Sequence, residues 1–292
     1  MGYMENKIKY YNEDNEKFAD VYIKKDLIFK CRVNGLNNSG SAVILLHGFP
    51  ETSKMWSKLI QFLSDNNYKV IAPDQRGYSP NARPSSLKEY KIDKLAQDVI
   101  DIANAFNFKK FHLVGHDWGS AIGWFLCAIH SKKIITYTPL SVPHLDAFGD
   151  AIKNDIIQKK KSFYLKWFRM KFLPEFYFKI LNYKNLKSLW RSSDKKEIDS
   201  YIKVFSQKNT LTTALNWYRA NNFKGKRKIG KIKVPILMIY GTKDMAIGEK
   251  AIDETKNYVD APYRLLKIKA SHWLIQDSFD LISNEILNHL KE

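Results

Sequence analysis

Lys110-Lys-Phe-His-Leu-Val-Gly-His-Asp-Trp-Gly-Ser-Ala-Ile-Gly123 is the stretch whose reading decides the fold. Phe111, Leu113 and Val114 make a short apolar run suited to a buried strand, and Ala121, Ile122, Trp124 and Phe125 continue at helical spacing. The turn falls at Gly115-His-Asp-Trp-Gly119. Small residues at both ends let strand and helix pack closely around it and push the central residue into a strained, exposed conformation. The pattern is Gly-x-Ser-x-Gly, a nucleophile elbow, with Asp117 in the serine position.

A serine there needs a histidine to take its proton, whereas an ionised aspartate does not. It can displace a leaving group from an sp3 carbon, forming an alkyl ester that water must hydrolyse. Such a site calls for a histidine with an acid partner, donors for an oxyanion, and an acid for the leaving group. The competing reading is that Asp117 only caps the following helix.

Upstream, Ala19–Ile23 and Leu27–Val33 read as strands separated by a charged turn. Ala42-Val-Ile-Leu-Leu46 is a continuous apolar run typical of a buried parallel strand, and it ends in His47-Gly-Phe-Pro50. Helical periodicity follows from Trp56 to Leu63, then a strand at Lys69–Pro73 ending in Asp74-Gln-Arg-Gly-Tyr78, then a helix from Ile92 to Phe106. After the elbow helix, Ile134–Ser141 is one more strand. The alternation predicts a mostly parallel α/β sheet flanked by helices.

From about Leu145 the character changes to helical, aromatic and basic, with 20 Lys or Arg against 7 Asp or Glu between positions 145 and 228. Strands return at Val234–Tyr240 and near Tyr263–Lys269. The expected organisation is one α/β core, residues 1–144 and 229–292, carrying a helical insertion at 145–228.

A 45% hydrophobic and 14% aromatic composition excludes a disordered chain. No run of about 18 apolar residues predicts a membrane span. The N-terminus lacks a signal pattern, and Asn6 stands where acylation of Gly2 would want Ser or Thr, so a cytoplasmic location is expected. Cys31 and Cys127 fit no metal or redox spacing; both are expected to be reduced thiols, with no metal and no cofactor. The net charge of +18 raises the question of an anionic partner, but its lysines are dispersed and belong to no nucleic-acid module, so no specific nucleic-acid binding is expected.

Ligands of open parallel sheets bind beyond the carboxyl ends of the strands. Asp244 follows one such strand, in Gly241-Thr-Lys-Asp-Met245, and His272 follows the last, in Ala270-Ser-His-Trp-Leu274. The order nucleophile, acid, histidine suits Asp244 as the residue that orients His272, and His272 as the base that activates water. Asp146 is the rival acid. The Trp118 N–H beside the nucleophile is one expected oxyanion donor, and the Phe49 N–H, in a loop that a cis Phe49–Pro50 bond would fix, is the second.

His47-Gly-Phe-Pro-Glu51, Asp74-Gln-Arg-Gly-Tyr78, Gly115-His-Asp-Trp-Gly119, Asn216-Trp-Tyr-Arg219 and Ser271-His-Trp273, in this order, resemble the epoxide hydrolase branch of the α/β-hydrolase superfamily. The resemblance runs from about residue 20 to the C-terminus and implies a helical cap over the sheet. It implies two cap tyrosines that hold the epoxide oxygen and protonate the alkoxide. Tyr218 matches the second. Ser162–Phe168 aligns with the first in two registers, giving either Tyr164 or Trp167, and an indole N–H can donate but cannot protonate an alkoxide. His116, Trp167, Trp217 and Trp273 are the candidates for the pocket wall. The expected partner is a small epoxide or organohalide, handled by a monomer or homodimer. Two alternatives stand: haloalkane or haloacetate dehalogenation with the same aspartate, and a non-catalytic binding protein on this scaffold.

Overall fold

The structure, a computed structural model, describes residues 8–24, 27–222 and 228–292. The N-terminal stretch considered above for a signal or acylation, the charged turn at 25–26 and the end of the insertion at 223–227 lie outside them. Among the described residues nine strands form one sheet: β1 Ile8–Glu13, β2 Glu16–Lys24, β3 Leu27–Asn34, β4 Ala42–Leu46, β5 Lys69–Pro73, β6 Phe111–His116, β7 Ile134–Leu140, β8 Ile236–Gly241 and β9 Tyr263–Ile268. Their order is β1-β2-β3-β5-β4-β6-β7-β8-β9. The pairs β1–β2, β2–β3 and β3–β5 are antiparallel, and every later pair is parallel.

The central strands β4, β6 and β8 are buried at every position, because helices cover both faces of the sheet and leave no solvated side for alternation to mark. The helices of the core are α1 Ser57–Asp65, α2 Ile92–Ala105 and α3 Trp118–Ile129. Helix α3 runs apolar on nearly all sides, since it lies wholly inside. Strand β1 escapes the sequence reading: Ile-Lys-Tyr-Tyr-Asn-Glu has little apolar content and, among the described residues, survives as an edge strand paired to β2.

Between β7 and β8 the described residues form helices and, apart from an isolated bridge at Ile232, no strand: α4 Leu145–Asn154, α5 Ile156–Lys161, α6 Tyr164–Phe168, α7 Leu173–Lys187, α8 Lys195–Phe205 and α9 Thr210–Ala220. They form the cap. Helix α7 is broken at Ile180–Tyr183, where three successive residues take positive φ. Then α10 Glu249–Glu254, α11 Leu274–Asp277 and α12 Phe279–His289 complete the core. Helix α9 is fastened to the loop after β5: Trp217 donates its indole N–H to the Arg76 carbonyl at 2.8 Å, Thr213 donates to the Gly77 carbonyl at 2.7 Å, and Asn221 donates to the Tyr90 carbonyl at 2.9 Å. Arg76 is itself held by both oxygens of Asp98. The Asp74–Tyr78 segment thus has a mechanical role, anchoring the last cap helix over the sheet.

Candidate active site

Asp117 sits between β6 and α3 with φ 51° and ψ −116°, a conformation that costs a side-chain-bearing residue of order 1–3 kcal/mol. Neighbouring glycines make it possible. A Cβ at Gly115 would stand 2.5 Å from the Gly119 carbonyl oxygen, and one at Gly119 would collide with the Leu46 carbonyl. The carboxylate makes no capping bond to α3, so the helix-cap reading has no support in the geometry. Instead, Oδ1 accepts the Phe49 N–H at 2.8 Å. The Phe49–Pro50 peptide is cis.

The loop carrying Phe49 is held by His47. Its Nε2 accepts the Gln75 N–H at 3.1 Å, so the ring proton is on Nδ1, which faces the Gly48 carbonyl at 3.0 Å. Burial lowers the His47 pKa, in keeping with a neutral ring.

His272 lies on the other side of Asp117. Its Nδ1 is 2.7 Å from Asp244 Oδ2, and its Nε2 is 3.7 Å from Asp117 Oδ2. Asp244 is buried, and its Oδ1 accepts the Ala246 and Ile247 N–H groups at 2.7 and 3.0 Å. Burial alone would raise its pKa; the His272 charge and these bonds outweigh burial and lower it. Burial likewise works against a charged His272, but Asp244 beside it and the contacts with both carboxylates raise its pKa to about 10. The resting imidazole is therefore a cation between two anions. Asp146, the rival acid, is turned elsewhere, accepting the Ile229 and Gly230 N–H groups at 3.1 Å each.

A cavity of about 260 Å³ opens over Asp117 and His272. Its walls include Tyr164, Trp167, Tyr218 and Trp273, together with Phe168 and Phe178, which the sequence reading passed over. The Tyr164 and Tyr218 rings lie 6.3 Å apart at 76°. Both phenols have raised pKa values, first through burial and then through the negative charge of Asp117. Trp118 packs edge-on against Tyr218, with ring centroids 5.1 Å apart.

His116 and Trp217 do not line this cavity. Trp217 is spent on the Arg76 carbonyl. His116 lies behind His272, with Nε2 2.9 Å from the His272 carbonyl and Nδ1 2.9 Å from Glu51 Oε2. A carbonyl only accepts, so Nε2 carries a proton. Glu51 is fully buried; its Oε2 touches His116 Nδ1 without hydrogen-bond geometry, and its Oε1 accepts from Gln276 at 2.7 Å. It was visible only as the residue after Pro50. A second residue missed in sequence is Lys161, whose ammonium reaches across from α5 to the carbonyls of Asp244 and, at 2.9 Å, Ile247.

A larger groove, about 460 Å³, lies between β1–β3 and α8, but its charged walls are occupied by ion pairs such as Lys30–Glu13 and Arg32–Glu16. Among the described residues no cluster of three or more His, Cys, Asp or Glu could hold a metal ion, and no helix is long and apolar enough to cross a membrane.

A parallel-sheet core, an aspartate elbow and an acid–histidine pair at the carboxyl ends of the strands define an α/β-hydrolase. The alpha/beta hydrolase fold family profile matches residues 41–278, and the chain belongs to that family, in its epoxide-hydrolase-like branch. It is 32% identical over 260 residues to AB hydrolase superfamily protein YfhM of Bacillus subtilis (strain 168), covering 86% of this chain and 91% of that protein. It is 33% identical over 263 residues to human epoxide hydrolase 4, covering 86% and 72% respectively. A crystal structure of Bacillus megaterium epoxide hydrolase with an inhibitor superposes with a TM-score of 0.83 at 22% identity, covering 97% of this chain and all of that one.

Proposed function

We propose that the protein hydrolyses epoxides to diols. The observation that carries this reading is that one cavity brings together a carboxylate with one oxygen already hydrogen-bonded, a His–Asp pair and two buried phenols. The two Asp117 oxygens differ. Oδ1 is held by the Phe49 N–H, so Oδ2, which faces His272 Nε2 at 3.7 Å, is the oxygen that attacks an epoxide carbon. The ring C–O bond breaks, and Tyr218 with Tyr164 gives its proton to the departing oxygen. Oδ1 is then the ester carbonyl oxygen, and it becomes the oxyanion when water adds, resting on the Phe49 and Trp118 N–H groups.

Ester formation removes the negative charge of Asp117. That takes away one of the two anions raising the His272 pKa, so the imidazolium releases its proton more readily, replacing the one the phenol lost. Neutral His272, oriented by Asp244, then takes a proton from water as the water oxygen adds to the ester carbon. The adduct breaks its acyl C–O bond, the departing diol oxygen takes the proton of the new carboxyl group, and Asp117 is again a carboxylate beside imidazolium His272. Dehalogenation has less support, because the two buried phenols in the cavity wall are proton donors that a departing alkoxide needs and a departing halide does not.

The two-part division, core 1–144 with 229–292 and cap 145–228, is read the same way: the cap supplies the phenols and the core the carboxylate and base. The whole site lies in one chain, which suits a monomer or homodimer. The cytoplasmic reading rests on two unpaired buried cysteines, Cys31 and Cys127.

The test is mass spectrometry of a His272→Gln variant after single turnover. An epoxide should leave its full mass on the peptide containing Asp117, and a haloacid should leave none. The reverse result would transfer the site to dehalogenation, and no adduct with either would favour a binding protein.

A further inference from the structure

The first turns of α7 expose the wrong face. Phe172, Leu173, Phe176 and Tyr177 recur at spacings that form one stripe along a helix, and such a stripe normally faces the core. Here all four face solvent; Phe172 is 81% exposed and Phe176 68%. The opposite side, with Pro174, Glu175 and Phe178, is the buried one. Leu181, in the break that interrupts α7, is exposed as well, at 72%. Phe172 and Leu181 hold φ of 67° and 50°, a backbone cost with no packing of these exposed side chains to offset it.

The charge around the stripe is one-sided. Residues 156–187 hold nine Lys or Arg and a single acid, Glu175. That acid is removed from the surface by its pair with Arg219 at 2.8 Å. Lys159, Lys160, Lys166, Lys171, Lys179 and Lys184 are exposed, and none forms an ion pair among the described residues. Exposed aromatic and aliphatic side chains ringed by unpaired lysines match the chemistry of an anionic lipid surface, into which apolar groups insert while ammonium groups stay at the headgroups.

We propose that this face of the cap docks reversibly on an anionic membrane. The cavity opens beside it: Tyr177 and Met245 are both exposed and both line the cavity wall. An apolar substrate dissolved in the bilayer would enter without crossing water. The docking stands apart from the hydrolase reading; delivery of substrate rests on it.

The experiment is co-sedimentation of the full chain with phosphatidylcholine vesicles, with and without phosphatidylglycerol. Binding is expected only with the anionic lipid, and it should fall as salt rises. Phe172→Ser with Phe176→Ser and Leu181→Ser should abolish it. Lys171→Gln, Lys179→Gln and Lys184→Gln should each weaken it about fivefold at low salt. Both sets should leave turnover of a water-soluble epoxide unchanged, which also reports that they fold. Equal binding to neutral vesicles, no binding, stronger binding to duplex DNA, or a dimer that the serine changes dissolve would each overturn the proposal. Vesicle binding without turnover of any epoxide would spare the docking and sink the hydrolase reading.

Discussion

Glu51 Oε2 lies 2.9 Å from His116 Nδ1 in a fully buried pair, and His116 holds the His272 carbonyl at its other nitrogen. This pair sets the position of the catalytic loop from behind. Replacing one partner leaves the other buried polar group without its neighbour, at a cost of about 1–3 kcal/mol. His116→Leu should therefore lower the melting temperature by several degrees and reduce kcat more than it changes KM. The double change Glu51→Leu with His116→Leu should recover part of the stability. A double variant no better than the sum of the two singles would show that the groups are not coupled.

Lys161 joins cap to core at the acid loop, bonding the carbonyls of Asp244 and Ile247. Hydrogen bonds from charged groups contribute about 1.5–3 kcal/mol. Lys161→Met should lower the melting temperature and reduce kcat about tenfold by loosening Asp244, with Lys161→Arg restoring part of both. Wild-type kinetics in the Met variant would remove Lys161 from any positioning role.

His272 titrates near pH 10 in the folded resting state, above its ordinary value of 6.5. The stability it contributes is complete below pH 6.5 and is lost as pH rises through about 10. The difference in unfolding free energy between wild type and His272→Gln should accordingly shrink across that window. In the ester intermediate the pKa is expected to be lower, because Asp117 is uncharged. Stopped-flow hydrolysis of the pre-formed ester should speed up with pH around a midpoint below 10; a midpoint at 10 or above contradicts the assignment.

Glu197 follows the opposite logic. Burial raises its pKa to about 7 against a Ser193 hydrogen bond and the charge of Lys58, with Glu51 and Asp194 adding to the rise, and among the described residues its Oε2 has no hydrogen-bond partner. Its folded pKa lies above the ordinary 4.5, so stability is lost as pH climbs through 7. Glu197→Gln should raise the melting temperature by about 2–4 °C at pH 8 and far less at pH 5. Calorimetry at the two pH values checks the sign.

Much of this site was legible because its signals are local. The Gly115–Gly119 turn, the buried run Ala42–Leu46 and the acid and histidine that follow β8 and β9 each announce themselves within a few residues. What remained hidden depends on contacts across the chain. Nothing adjacent to Lys161 or Glu51 in sequence shows that one clamps the acid loop and the other braces His116. Trp217 and His116 sit beside Tyr218 and Asp117 and share their motifs, yet helix and strand geometry turns them away from the cavity. Tyr164 and Trp167 are three residues apart on α6, one helical turn, so both reach the cavity and spacing alone could not separate them.

The central claim is that Asp117 Oδ2, not water, forms the new bond to the epoxide carbon. A single turnover with excess enzyme in ¹⁸O-water decides it. The account predicts an unlabelled diol and one ¹⁸O retained in the Asp117 carboxylate, because water adds at the carboxyl carbon and the alkyl–oxygen bond stays intact. Label in the diol from that first turnover, with Asp117 unlabelled, would contradict it.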